Sequence, residues 1–138
     1  LAGAAKFELR GSSNAPARVA INAALDFHNM ITPEALEARN RYQAVRLANA
    51  LRNIDGVKVY SSEDPRMSAA LVAFKVNGVA TRDLNARLWE RNRIYIRNVT
   101  HPEINWDANR ASMHVMVTDA QTDKLIDAVE EIAKEKRL

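Results

Sequence analysis

Residues 109–132 read NRASMHVMVTDAQTDKLIDAVEEI, and this stretch decides the class of fold. Between Ala111 and Val117 the side chains alternate, with Ala111, Met113, Val115 and Val117 on one side and Ser112, His114 and Met116 on the other. A period of two predicts a strand with one packed face. Thr118 and Gln121 then stand at the spacing of a capping box, which satisfies orphan N–H groups at the start of a helix. Leu125, Val129 and Ile132 follow on one helical face, ahead of a charged end. A strand that leads directly into an amphipathic helix predicts a sheet with helices laid against it.

The pattern extends upstream. Ile94–Val99 reads as a neighbouring strand, and Thr100–Asn109 (THPEINWDAN) as an irregular polar surface loop. Ala69–Val76 predicts a longer strand closed by the turn dipeptide Asn77-Gly78, and Val57–Tyr60 a short one. Thr81 is placed to cap a helix carrying Leu84, Leu88 and Trp89. Thr32-Pro33-Glu34 starts another, whose stripe is Leu36, Ala44, Val45, Ala48 and Leu51 and whose stop is Gly56. Asn14 and Pro16 open the first helix, over about residues 15–30. Its polar residues Arg18, Asn22, Asp26 and Asn29 fall at steps of four, four and three, and nearly everything else on it is apolar. So wide an apolar arc predicts burial against a second body. The order helix, helix, strand, strand, helix, strand, strand, helix predicts an α+β fold, a small, mostly antiparallel sheet with helices on one face.

Composition narrows the chemistry. The 138 residues suit one domain, and 47% hydrophobic with 27% charged is ordinary globular usage. With no Cys there is no disulfide, thiol nucleophile or thiolate-bound zinc. The net charge of +3 is mildly basic, and its carriers alternate with acids, as in Arg82-Asp83 and Glu90-Arg91. That reads as a solvated surface rather than a nucleic-acid footprint. No apolar run approaches the roughly 20 residues of a membrane span. The opening LAGAA is too short for a signal peptide, and the chain is expected to be a piece of a longer protein. Four glycines leave no Rossmann or Walker loop. His28, His101 and His114 lack metal-ligand spacing, so no metal site is expected, and His114 is expected half-buried in a strand.

Two features retain a functional reading beside a plain one. Gly11-Ser12-Ser13-Asn14 is a capping loop, or a hydroxyl and amides presented to a phosphate ahead of a helix. Arg110 and Arg97, at the ends of neighbouring predicted strands, are solvated surface arginines, or a pair of guanidinium forks held around an anion.

Three stretches resemble class-V aminotransferases, fold-type-I pyridoxal-phosphate enzymes that include cysteine desulfurases and isopenicillin-N-epimerase-like proteins. KFELRGSSNAPARVAINAALDF (6–27) is similar to the family's Gly-Thr loop and Ala-rich helix, with Ser12 in place of the Thr and one extra residue, Arg10, before Gly11. NRIYIRNVTH (92–101) is similar to a strand ending in an Arg that helps hold the substrate carboxylate, which puts Arg97 in that role. Residues 109–132 follow the family's Arg-x-Ser strand, Thr-capped turn and final helix, with Met116-Val117 where the family has Tyr-Asn. The resemblance implies that Arg110 binds the substrate α-carboxylate. It also implies that Ser12, with Gly11, reaches the phosphate of pyridoxal 5'-phosphate across a homodimer interface. Pro102 stands where desulfurases carry their Cys, which turns the expectation toward epimerase-like, lyase or transaminase members.

On this resemblance residues 1–31 are an interdomain loop and linking helix, and residues 32–138 the C-terminal small domain. The Schiff-base Lys and the Asp that pairs the pyridine nitrogen belong to a large domain outside this chain. The fragment alone is then inactive, while the parent is a cytoplasmic homodimer acting on an amino acid, without nucleic-acid or membrane partners. The alternative is a stand-alone α+β regulatory or RNA-binding module. An RNA-recognition sheet needs exposed aromatics on its central strands, and Tyr60, Phe74 and Tyr95 are the candidates on predicted strands.

Overall fold

The computed structural model of the chain describes Gly3 and residues 14–135. It divides the chain into two units, residues 1–36 and 37–138. In the first unit, α1 (Ala15–Ile31) begins where the Asn14 side chain accepts a hydrogen bond from the Ala17 N–H at 3.0 Å, with Pro16 in the first turn. The helix buries none of its residues, and Val19, Ile21, Leu25, Phe27 and Met30 are all exposed. The next helix, α2 (Pro33–Arg52), starts in the same unit, with the Thr32 hydroxyl accepting from the Ala35 N–H at 3.3 Å.

In the second unit, the rest of α2 is followed by β1 (Val57–Val59), β2 (Leu71–Val76), α3 (Thr81–Asn92), β3 (Arg97–His101), β4 (Trp106–Ser112) and α4 (Asp119–Glu135). The four strands pair antiparallel in the order β1-β2-β4-β3, so β2 and β4 are central. Helices α2, α3 and α4 cover one face. Val72, Phe74, Val76, Ala111 and Met113 meet Leu47 and Leu51 from α2, Leu84 and Leu88 from α3, and Val129 and Ile132 from α4. Burying each such large side chain contributes about 1.5–3 kcal/mol, and this layer fixes which way the sheet faces.

Start and stop chemistry accounts for most boundaries. Thr118 and Gln121 form the expected reciprocal box: the Thr118 N–H donates to Gln121 Oε1 at 2.9 Å, and the Gln121 N–H to the Thr118 hydroxyl at 3.2 Å. Gly56 and Gly78 hold positive φ angles of 82° and 72°, which only Gly adopts without strain.

Four expectations are corrected. The stretch expected to be a loop supplies most of β4: after a 3₁₀ turn at Pro102–Ile104, pairing begins at Trp106. The strand expected over residues 111–117 ends at Ser112, because Met113 closes the core while the chain turns, the Val117 N–H donating to the His114 carbonyl at 2.9 Å. His114 is accordingly exposed rather than half-buried in a strand, its Nδ1 accepting from the Met116 N–H at 3.2 Å. Thr81 is the first residue of α3 rather than its cap; Ala80 occupies the cap, and the Thr81 hydroxyl turns to Asp107 at 2.8 Å.

Candidate substrate-binding site

The helix-free face of the sheet gathers the arginines singled out by the sequence. In the β3–β4 register Arg97 lies directly opposite Arg110, and in the β2–β4 register Ala73 lies opposite Arg110. Cross-strand partners project to the same face. Since Val72, Phe74 and Ala111 point into the helices, Ala73, Arg110 and Arg97 form a row on the other side. The row continues to Tyr60, just past β1, whose N–H donates to the Ala73 carbonyl at 2.8 Å.

Like charges placed opposite each other on a sheet repel. A second such pair on this sheet, Lys58 and Lys75, is relieved within the chain. Lys75 reaches Asp107 at 3.4 Å, and the Lys58 ammonium lies over the Tyr60 ring, 5.0 Å from its centre. Arg97 and Arg110 have no acidic partner among the described residues. The Nε of Arg110 is buried and donates to nothing. A buried guanidinium N–H without an acceptor costs about 1–3 kcal/mol, and a carboxylate oxygen is the acceptor best matched to that fork.

The strand under Arg110 is held from the helix side. Asn109, 1% exposed, donates through Nδ2 to the Thr81 carbonyl at 2.9 Å and to Asn85 Oδ1 at 2.8 Å. Asp107 accepts from the hydroxyls of Thr81, at 2.8 Å, and Thr100, at 3.1 Å. Burial pushes the Asp107 carboxyl up, but the hydrogen bonds from Thr81, Thr100 and Lys75 outweigh it and leave the group below the ordinary aspartate range. Both residues fell in the stretch expected to be a loop. The signal that would have found them is the alternation itself, which runs back from Ala111 through Asn109 to Asp107.

Trp106 and Tyr60 add an aromatic pair to the same face, their rings edge-on with centres 5.7 Å apart. His101, opposite Trp106 in register, is tilted against the indole, 5.7 Å between centres, and its Nδ1 lies 2.9 Å from Glu103 Oε1. Ala108, two residues from both Trp106 and Arg110, is 0% exposed although it lies on the face without helices. Of the aromatics expected on strands, Phe74 is buried under the helices, Tyr95 precedes β3, and Tyr60 alone joins this face. Ser12 and Gly11 lie outside the described residues.

Each lysine among the described residues has a partner within the chain. Lys58 stacks on Tyr60, Lys75 pairs with Asp107, Lys124 donates to the Asn92 carbonyl at 2.8 Å, and Lys134 pairs with Glu130 at 2.6 Å. Among the described residues no helix is long and apolar enough to cross a membrane.

Comparison with known proteins gives a consistent setting. Residues 3–125 match the family model of class-V aminotransferases. Isopenicillin N epimerase of Streptomyces clavuligerus is 25% identical over 134 residues, 96% of this chain and 33% of that protein. A probable cysteine desulfurase of Xylella fastidiosa is 27% identical over 136 residues, 94% of this chain and 32% of that protein. The cysteine desulfurase CsdA of Escherichia coli superposes with a TM-score of 0.77 at 26% identity, over 91% of this chain and 32% of that one. A C-DES variant with glycine covalently linked to its PLP cofactor superposes with a TM-score of 0.68 at 25% identity, over 79% of this chain and 27% of that one. The chain thus spans about a third of the curated relatives it matches. With its sheet, its helix layer and nearly its whole length matched, the chain belongs to the class-V aminotransferase family.

Proposed function

We propose that this chain is the carboxylate-gripping part of a larger pyridoxal-phosphate enzyme that acts on an α-amino acid. The observation that carries the reading is the Arg97–Arg110 pair, two cations set opposite each other with a buried Nε awaiting an acceptor. Arg110, on a central strand and braced through Asn109, fixes the α-carboxylate with its planar fork. Arg97, on the edge strand, offers a second positive charge to the same anion. Holding the acid in one orientation is what lets a cofactor select a single bond at the α-carbon.

Pyridoxal phosphate, when bound, supplies the electron sink for that chemistry. Its Schiff-base Lys and its pyridine partner would belong to a large domain of the parent. Ser12 and Gly11 then contribute to the phosphate of the neighbouring subunit in a homodimer. The exposed apolar side of α1 supports a second body against that helix. Without any Cys, the reaction classes favoured are epimerisation, elimination and transamination.

The kinetic test is Arg110→Lys in the complete protein, which keeps the charge and removes the fork. A loss of about 1.5–3 kcal/mol in kcat/KM toward α-amino acids is expected; an unchanged kcat/KM refutes the role. The chain alone is expected to form no stable adduct with pyridoxal phosphate. Borohydride treatment followed by mass spectrometry checks this, and a single modified Lys in the isolated chain would overturn the division of labour.

A further inference from the structure

We propose that Tyr60 and Trp106, backed by His101, form the side-chain subsite next to the arginine pair and select amino acids with an aromatic or large apolar side chain. The inference rests on the carboxylate role of Arg110 and deepens it. Strands in a sheet are about 4.8 Å apart, so the Tyr60 backbone, two strands from Arg110 in the same row, lies about 10 Å from it. Trp106 is four residues along β4 from Arg110, on the same face, and its ring leans to meet that of Tyr60 at 5.7 Å. Between Arg110 and Tyr60 the row holds only the small side chain of Ala73, while Lys75, next on that face of β2, turns its ammonium to Asp107. The result is a row with an acid-binding fork at one end, the small side chain of Ala73 in the middle and an aromatic wall at the other end.

The wall is stiffened on both flanks. Lys58 lies over the Tyr60 ring, and His101, held beside Glu103, lies against Trp106. Tyr60 nevertheless keeps 37% of its surface exposed, so ring area is left for a ligand. A guest that satisfies both ends carries a carboxylate and, within about 10 Å, a flat or bulky apolar group. Edge-on or offset contact with such a ring adds attraction beyond plain burial, which a methyl side chain cannot collect. A small polar side chain would leave the wall wet, so discrimination runs toward phenylalanine or leucine and away from alanine.

The test uses the complete protein with its cofactor and measures binding by calorimetry for L-alanine, L-leucine, L-phenylalanine and phenethylamine, which lacks the carboxylate. The expected order is phenylalanine, leucine, alanine, with phenylalanine about tenfold or more tighter than alanine. Trp106→Leu and, independently, Tyr60→Ala should cut that preference several-fold while leaving alanine nearly unchanged. Arg110→Lys should weaken all three amino acids alike and spare phenethylamine. Equal losses for alanine and phenylalanine in both wall variants would overturn the subsite and leave the carboxylate reading standing. Should Arg110→Lys spare the three amino acids, the carboxylate reading fails and this inference with it. Salt-sensitive binding of oligouridylate that disappears in Trp106→Leu would assign the rings to stacking bases and likewise overturn the inference.

Discussion

The Thr122 hydroxyl donates to Gln43 Oε1 at 2.7 Å between α4 and α2, where neither side chain has more than 1% of its surface exposed. The same amide donates through Nε2 to Asp119 Oδ1 at 2.7 Å and to the Val117 carbonyl at 3.2 Å. One glutamine therefore ties the middle of α2 to the first turn of α4 and to the chain leading into it. Gln43→Ala strands several of these groups and opens a void, and is expected to cost about 2–3 kcal/mol. Gln43→Leu restores the volume without the hydrogen bonds and should remain destabilised by more than 1 kcal/mol. Urea unfolding of the 138-residue chain measures both, and a loss below about 0.5 kcal/mol in each would show that water replaces the amide without penalty.

Phe74 and Ala73 are adjacent on β2 and have opposite surroundings: Phe74 is 0% exposed beneath the helices, whereas Ala73 is on the arginine face. Phe74→Ala should cost about 3–5 kcal/mol, enough to threaten a domain whose total stability is of order 5–15 kcal/mol. Phe74→Leu, which keeps most of the volume, should cost much less. A calorimetric melt that ranks the two variants the other way would mean that the ring is not packed as described.

Legibility followed how many independent signals each element carries. The α4 start was readable because Thr118, Gln121 and the Leu125–Val129–Ile132 stripe agree, and each acts locally. β4 was misplaced because its first half, Trp106–Asn109, is polar for tertiary reasons. Asp107 and the Asn109 Nδ2 group point inward and find Thr81, Thr100 and Asn85, partners that no local pattern announces. The apolar alternation over residues 113–117 then drew the strand too far forward, where the chain in fact turns. Arg110 and Arg97 could be picked out by type and by position near strand ends. That they stand directly opposite is a matter of register, set by the pairing of β3 with β4. Tyr60 and Trp106 belong to distant segments and meet only through the strand order, which a linear reading does not contain.

Asp107 links β4 to α3 and β3, and its folded-state pKa is depressed. A depressed carboxylate contributes stability that is present above its unfolded pKa and is lost as pH falls through the folded one. The part of the urea midpoint that Asp107 supplies should therefore fall away progressively as pH drops through and below the ordinary aspartate value of 3.8. Asp107→Asn, which cannot ionise, should start lower at neutral pH and lose less between pH 4 and 2. Parallel profiles for the two proteins would mean that other carboxyls carry the acid sensitivity. Asp119, held down chiefly by its hydrogen bond from Arg39, is the first of these to replace.

The arginine pair makes a prediction that needs no knowledge of the reaction. If Arg97 and Arg110 repel across the β3–β4 ladder, a carboxylate that enters between them stabilises the folded chain by mass action, because the unfolded chain offers no such fork. Acetate should raise the melting temperature of the chain more than chloride does at equal ionic strength, which separates specific capture from screening. Arg97→Gln removes the repulsion and half the attraction, so it should leave the melting temperature in chloride unchanged or slightly higher and should shrink the acetate increment. Arg110→Gln should abolish the increment, since the buried Nε belongs to that residue. Identical acetate increments in the wild-type chain and both variants would place the bound anion elsewhere and remove the electrostatic basis of the carboxylate site.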